Sequence, residues 1–118
     1  MDKKLKDPLL KIKLLICDID GVLTDGSFIK STTGEELRSF NALDGVGFVV
    51  LRLLNLNVKT AWITGRESLT TTQRAEELQI DDVYNGVIRK IDAYNELKKK
   101  YELSDSEVCF IGDDIIDI

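Results

Sequence analysis

Two aspartates separated by one residue, Asp18 and Asp20, follow the short apolar run Leu14–Cys17 and precede Gly21. The run does not alternate, which is typical of a strand buried on both faces of a parallel sheet. Ligands of such sheets bind beyond the carboxyl ends of the strands, so we expect the two carboxylates at the mouth of a site. Taken alone, Asp-x-Asp-Gly could equally be a polar turn, because Asp and Gly are common turn residues.

More acids lie near the end of the sequence, in a Gly-Asp-Asp-x-x-Asp segment that contains Asp113, Asp114 and Asp117. It follows an apolar run that predicts another buried strand, the fourth in chain order. Carboxylates this close repel one another, so a site that also holds the first pair of aspartates requires a counter-ion. Because all of these ligands are oxygens, the expected ion is magnesium.

The candidate anion-binding residues come from the middle of the chain. Val58–Thr64 predicts the second strand, which Gly65, Arg66 and a helix from about Glu67 to Leu78 follow. A Thr at such a junction is usually a helix cap, although a helix N-terminus also favours anions. Arg66 could bind a carboxylate or phosphate bidentately, or it could be a surface arginine.

Lys90 stands at the start of a predicted helix, Ile88–Tyr101, which follows a short third strand within Asp82–Gly86. The N-terminal end of a helix dipole repels cations, so this position is electrostatically poor for a lysine. The misfit hints at a function for Lys90, and a surface lysine is the alternative.

Composition limits the class of protein. The chain has 118 residues, of which 43% are hydrophobic and 31% charged, as in an ordinary globular domain with one modest core. Its net charge of −5 argues against non-specific binding to nucleic acid or anionic membranes. Histidine and Cys-x-x-Cys are absent, which excludes zinc sites and His-based triads, and Cys17 and Cys109 are expected to be buried, reduced thiols. Without a signal-peptide pattern, the expected location is the cytoplasm.

Three other segments complete the predicted elements. Ser27–Phe40 predicts a β-hairpin that turns at Thr32–Gly34, and Met1–Leu10 predicts a frayed basic lead-in. Asn41–Asn55 predicts a helix with Asp44 as its N-cap. Its core face is predicted from helical spacing to consist of Val46, Val49, Val50, Leu53 and Leu54.

The eight residues Asp-Ile-Asp-Gly-Val-Leu-Thr-Asp, 18–25, resemble the first motif of the haloacid dehalogenase superfamily of phosphohydrolases. Ile-Thr-Gly-Arg at 63–66, the spacing from Gly86 to Lys90, and Gly-Asp-Asp-x-x-Asp resemble the second, third and fourth motifs, in the same order. The third motif is the reason for preferring Lys90 to Arg89. More narrowly, the sequence resembles the small sugar-phosphate phosphatases without a cap domain that are typified by 3-deoxy-D-manno-octulosonate 8-phosphate phosphatase.

The resemblance implies a three-layer, Rossmann-like α/β core with a mostly parallel sheet, strand order 4-1-2-3, a hairpin flap after strand 1 and no cap domain. Relatives continue into a fifth strand, so we expect one domain, 1–118, truncated at its C-terminus. The family's hairpin, here about 27–40, is implied to join subunits into a homotetramer and to help close the neighbouring active site. A hairpin that packs on its own domain is the alternative.

The resemblance also implies the roles of the site residues. Asp18 would be the nucleophile and Asp20 the general acid and base, as in other enzymes that form a covalent intermediate. Thr64 and Lys90 would stabilise the phosphoryl group, and the implied substrate-binding residues are Thr64, Gly65, Arg66 and Lys90. The implied cofactor is Mg²⁺, with the ligands Asp18, Asp20 through its backbone carbonyl, Asp113 and Asp114.

The implied activity is hydrolysis of 3-deoxy-D-manno-octulosonate 8-phosphate, a step of lipopolysaccharide biosynthesis. Two other classes remain as alternatives. One is a non-catalytic oligomerisation or regulatory module, such as the phosphatase-like domain fused to some sialic-acid cytidylyltransferases. The other is a phosphoacceptor of the receiver-domain type, although that class places its acceptor aspartate on a middle strand and its acidic pair near the first.

Overall fold

A parallel sheet of four strands forms the centre of the fold, and the predicted site lies at the carboxyl ends of its strands. The computed structural model describes residues 3–112, so the predicted acids Asp113, Asp114 and Asp117 lie outside the described residues. The strands are β1 (Leu14–Cys17), β4 (Lys59–Ile63), β5 (Asp82–Tyr84) and β6 (Val108–Ile111). They pair in the order β5-β4-β1-β6, all in parallel. The predicted strands 1, 2, 3 and 4 correspond to β1, β4, β5 and β6. Read from the β6 edge, the observed order is therefore the predicted 4-1-2-3.

Helices cover both faces of the sheet. The chain forms α1 (Lys3–Leu10), α2 (Ala42–Leu53), α3 (Leu69–Leu78) and α4 (Lys90–Tyr101), with a 3₁₀ turn at Asp105–Glu107, and of these helices α2, α3 and α4 pack on the sheet. Alternate strand residues point to opposite faces, so Trp62 packs with Phe48 of α2 and Leu78 of α3, whereas Ile16 packs with Leu97 of α4. The predicted three-layer α/β fold is therefore confirmed. No helix in the described part of the chain is long and apolar enough to cross a bilayer.

The hairpin consists of β2 (Ile29–Lys30) and β3 (Glu36–Leu37), paired antiparallel. Its turn lies at the predicted place, where Gly34 adopts a φ of +91° that a residue with a side chain rarely adopts. The hydroxyl groups of Ser68 and Thr70 donate to the Glu36 carbonyl at 3.2 and 3.4 Å. The hairpin therefore packs against its own domain at the start of α3, while its role between subunits stays a prediction.

The prediction for α2 was wrong in two respects. Asn41, not Asp44, is the N-cap, because its side-chain oxygen accepts a hydrogen bond from the Leu43 N–H group at 2.8 Å. The buried positions are Gly45 and Phe48, with Val49 packed beside them. The observed core face is therefore shifted by one residue position from the predicted face. Of the predicted core residues, the ones that are exposed are Val46, Val50, Leu53 and Leu54.

The buried face of α2 lies close to α3. A Cβ atom on Gly45 would lie 2.5 Å from Nη2 of Arg74 and 3.3 Å from Cδ2 of Leu78, so glycine allows this close approach without a shift of those two side chains. The predicted frayed lead-in was also wrong, since residues 3–10 form α1 despite Pro8.

Both cysteines are free thiols, as predicted, but only Cys17 is buried as expected, because Cys109 is partly exposed. Cys17 is buried in the core beneath α2, and this burial raises the pKa of its thiol to about 12. A thiol with so high a pKa holds its proton at neutral pH and is a poor nucleophile. Cys17 therefore packs as a small apolar residue and adds no chemistry to the neighbouring Asp18.

Candidate active site

Asp18 is fixed at the carboxyl edge of the sheet. It follows the last residue of β1, and its N–H group donates to the Ile111 carbonyl at 2.9 Å, which continues the pairing with β6. The next carbonyl, that of Ile19, accepts hydrogen bonds from three successive N–H groups at 2.9–3.2 Å, those of Val22, Leu23 and Thr24. This tight turn, with Gly21 at a φ of +88°, holds the two predicted acids at one edge of the sheet.

A buried ion pair joins Asp18 to Lys90. The Lys90 Nζ atom lies 3.0 Å from Oδ1 of Asp18, and the two side chains are each only 7% exposed. Lys90 is the first residue of α4, on a different face of the sheet from the helices that follow β1 and β4. An unpaired charge at this depth would be strongly unfavourable, so each group requires a counter-charge.

Arg89, the residue before Lys90, lies on the surface and not beside Asp18. Arg89 is 73% exposed and lies 3.7 Å from the Asp92 carboxylate in an exposed pair of little energetic value. Of the two candidates from the sequence, only Lys90 contacts Asp18 within the described residues. The unfavourable helix-start position of this lysine is thus compensated by a carboxylate.

Thr64 lies beside the second acid. Its hydroxyl group donates to Oδ2 of Asp20 at 3.5 Å and accepts from the Arg66 N–H group at 3.2 Å. Only 2% of Thr64 is exposed, and its own N–H group donates to the Tyr84 carbonyl at 2.9 Å. The strand end therefore presents a hydroxyl and a nearby N–H group next to Asp20, which are groups that can bind a phosphoryl oxygen.

The hairpin supplies a second set of charged residues that the sequence analysis missed. Arg38 is buried, with its side chain 1% exposed, and its Nε atom donates to Oδ1 of Asp20 at 2.9 Å. Glu36 accepts from Arg38 at 3.1 Å and from Arg66 at 3.0 Å. The Arg66 guanidinium also lies 4.2 Å from the centroid of the Phe28 ring. A signal was present, since Glu36 and Arg38 are two apart and share one face of an extended strand.

The pKa of Glu36 predicts an acid-sensitive hairpin. The hydrogen bond from Arg38, with the charge of Arg66, lowers the pKa of Glu36 from its usual 4.5. A carboxyl group with a lowered pKa stabilises the fold above its unfolded pKa and loses that contribution as the pH falls through its folded pKa. We expect the free energy of unfolding to fall less steeply below pH 4.5 in Glu36→Gln than in the unsubstituted chain. Urea unfolding of both chains at a series of pH values from neutral to acidic measures this free energy.

The matched control for this measurement is Glu77→Gln, which removes an exposed carboxylate that pairs with Arg74 on α3. Exposed pairs of this kind contribute little to stability, so its acid profile should follow the unsubstituted chain. Equal acid profiles for the Glu36 and Glu77 variants would contradict the prediction.

The donor atoms at the sheet edge are suited to a hard cation. Asp18 offers a carboxylate and Asp20 a backbone carbonyl, and oxygen ligands of these two kinds are the ones that Mg²⁺ prefers. Within residues 3–112, no group of three or more metal-ligating side chains is present. The remaining predicted ligands, Asp113 and Asp114, lie directly after β6, the strand next to β1. The residues described therefore fit part of a magnesium site.

Known proteins resemble this chain over most of its length. It is 42% identical over 106 residues to 3-deoxy-D-manno-octulosonate 8-phosphate phosphatase KdsC of Yersinia pestis, covering 90% of this chain and 56% of that protein. The corresponding protein of Salmonella typhi is 40% identical over 106 residues, again covering 90% of this chain and 55% of the relative. The chain thus spans about half the length of the curated relatives it matches. No protein-family model matches it.

Solved structures give the same result. The phosphatase of Moraxella catarrhalis, determined with a magnesium ion, a phosphate ion and KDO, has a TM-score of 0.90 and 34% identity over 99% of this chain and 66% of its own. A Legionella pneumophila protein assigned to subfamily III A of the haloacid dehalogenase superfamily has a TM-score of 0.89 and 40% identity over 97% of this chain and 62% of its own. The resemblance inferred from the four motifs is therefore confirmed.

Proposed function

We propose that this chain, a homologue of the 3-deoxy-D-manno-octulosonate 8-phosphate phosphatases of the haloacid dehalogenase superfamily, carries the catalytic centre of a phosphomonoester hydrolase that depends on Mg²⁺. One observation supports this above the others. A buried carboxylate, Asp18, stands at the end of a central strand with the Lys90 ammonium at 3.0 Å and a second acid, Asp20, two residues away. A structural turn has no need of a buried acid paired with a buried lysine.

The proposed reaction has two steps. In the first, a carboxylate oxygen of Asp18 bonds to phosphorus while the bond from phosphorus to the sugar oxygen breaks, and that oxygen takes both bonding electrons and a proton from Asp20. In the second, Asp20 accepts a proton from water as the water oxygen bonds to phosphorus and the bond to Asp18 breaks. Phosphate leaves and both aspartates return to their first state, so two easier displacements replace one difficult displacement.

Positive charge at the site comes from the protein and from the cofactor. Lys90 faces the oxygen of Asp18 and would lie near the charge that develops on the phosphoryl group, while the Thr64 hydroxyl and the Gly65 backbone would hold a phosphoryl oxygen. Asp18, the Asp20 carbonyl, Asp113 and Asp114 would hold Mg²⁺. When bound, Mg²⁺ neutralises the phosphate and the crowded carboxylates.

The substrate proposed is 3-deoxy-D-manno-octulosonate 8-phosphate. Arg66 supports a substrate that carries a carboxylate, because its guanidinium group is held by Glu36 and Phe28 yet remains 48% exposed. A cavity of about 460 Å³ lies beside Arg66, between the hairpin and the start of α3, and is large enough for a small molecule. This substrate would place the protein in lipopolysaccharide precursor synthesis in the cytoplasm. The exposed apolar residues Phe28, Ile29 and Leu37 support association of copies through the hairpin.

Phosphate release from a panel of esters tests the proposed function. The panel contains 3-deoxy-D-manno-octulosonate 8-phosphate, a nine-carbon keto-acid phosphate and hexose phosphates, each with Mg²⁺ and with a chelator. We expect turnover that requires Mg²⁺ and prefers the keto-acid esters, with roughly a tenfold loss of that preference in Arg66→Ala, since a hydrogen bond to a charged group contributes about 1.5 to 3 kcal/mol and solvent reduces this for a side chain that is 48% exposed. Arg89→Ala, which removes an exposed arginine, is the matched control. If the chain hydrolyses none of the esters, the result would favour a non-catalytic module.

A further inference from the structure

We infer that Arg38 is a positioning residue, which holds the side chain of Asp20 where it can give its proton to the departing sugar oxygen. Through Arg38, the hairpin sets the orientation of a catalytic group of its own domain. This inference rests on the proposed function, because it assigns Asp20 the role of proton donor.

Three contacts fix the Arg38 guanidinium group. Its Nε atom donates to Oδ1 of Asp20 at 2.9 Å, its Nη2 atom donates to Oε2 of Glu36 at 3.1 Å, and its Cζ atom lies 5.4 Å from the centroid of the Phe28 ring. Two donors and a ring contact determine the plane of the group. The carboxylate that receives its hydrogen bond is therefore held in one orientation.

Asp20 depends on this contact. In the described part of the chain, its other side-chain hydrogen bond is the one from Thr64, which is long at 3.5 Å. The Asp20 side chain is 25% exposed, whereas that of Arg38 is 1% exposed. Without the guanidinium, a partly exposed carboxylate on a turn would rotate among several side-chain conformations. Arg38 thus supplies the firm contact that selects one of them.

Fold stability alone does not explain why Arg38 is buried. Among the described residues, its Nη1 atom is buried and has no hydrogen-bond partner. A buried donor without an acceptor is unfavourable and is rare in folded proteins, where such groups are concentrated at functional sites. An apolar residue would fill the same volume without this disadvantage. The hydrogen bond to Asp20 is the feature that an apolar residue at this position would not provide.

The test compares two kinds of leaving group. A sugar alkoxide must be protonated as it leaves, whereas p-nitrophenolate and acetate depart readily as anions. Because the second step uses Asp20 as a base for every ester, the comparison is made on the first step, as the rate at which Asp18 is phosphorylated in a single turnover. In Arg38→Met, we expect this rate to fall roughly 10- to 100-fold for the sugar phosphate, with little change in the substrate concentration that gives half the maximal rate, and to fall less than about threefold for p-nitrophenyl phosphate and acetyl phosphate. Arg38→Lys, which keeps the charge and one hydrogen bond, should recover part of the loss.

Arg52→Met is the matched control, since Arg52 donates to the Leu78 carbonyl between α2 and α3 and has no hydrogen bond to a site residue within residues 3–112. It should leave both activities unchanged. Equal losses of the phosphorylation rate for all esters in the Arg38 variants, or no loss, would overturn the inference, and Arg38→Lys decides the matter if Arg38→Met fails to fold. If the unsubstituted chain hydrolyses no ester, the proposed function fails instead.

Discussion

Replacing Asp18 by Asn is expected to lower kcat for phosphate release by roughly 10⁴-fold or more, because an amide oxygen cannot attack phosphorus as a carboxylate does. Asn has nearly the same shape as Asp and keeps an oxygen that can accept the Lys90 hydrogen bond, so the variant should still fold. The backbone bond from residue 18 to the Ile111 carbonyl is also unaffected. Phosphate release at saturating substrate and Mg²⁺ measures the effect, with thermal unfolding as the check on folding.

Asp25→Asn is the matched control for this substitution. Asp25 lies in the same loop but is exposed, and its Oδ1 atom accepts hydrogen bonds from the Ser27 N–H and hydroxyl groups, which an Asn oxygen can also accept. Its activity should stay within about threefold of the unsubstituted chain, as is usual for an exposed residue outside the site. An Asp18→Asn variant with activity close to that of Asp25→Asn would exclude Asp18 as the nucleophile.

Replacing Lys90 by Met is expected to impair both catalysis and folding. We expect kcat to fall by roughly 10²- to 10³-fold, as when one preorganised charge is lost from a transition state. The free energy of unfolding should fall by about 3 kcal/mol, because the buried Asp18 carboxylate loses its neighbouring cation. Lys98→Met, on the same helix, removes a more exposed cation paired with Asp105 and should cost less than about 1 kcal/mol.

The double variant Asp18→Asn, Lys90→Met separates the two effects. With the charge on residue 18 removed, the loss of the ammonium no longer takes a neighbouring cation from a buried carboxylate, so part of the stability should return. Activity should not return, since the nucleophile is absent. Additive losses in the free energy of unfolding would contradict an energetic coupling between Asp18 and Lys90.

The sheet and the position of the acids could be predicted from the sequence because each depends on local pattern. The unbroken apolar runs before Asp18 and Thr64 identify strands buried on both faces, and the carboxyl ends of parallel strands meet at one edge. Lys90 could be singled out by its unfavourable position at a helix start, although its contact with Asp18 joins residues 72 apart and requires the fold.

The orientation of α2 and the contribution of the hairpin could not be predicted in the same way. Helical spacing allowed two neighbouring faces of α2, and the face that is buried is the one on which Gly45 lies against Arg74 of another helix. The spacing of Glu36 and Arg38 places both on one face of an extended strand, but the contact of Arg38 with Asp20, 18 residues earlier, requires the hairpin to fold back. Tertiary contacts decided both features.

The central claim is that Asp18 becomes phosphorylated during turnover. The chain is mixed with 3-deoxy-D-manno-octulosonate 8-phosphate and Mg²⁺, quenched in acid within the first turnover and digested, and the phosphopeptides are identified by mass spectrometry. We predict phosphate on Asp18, in the peptide that contains β1, and none in the Asp18→Asn variant. Rapid phosphate release with no phosphorylated residue at any quench time, or with phosphate on a residue other than Asp18, would contradict the account.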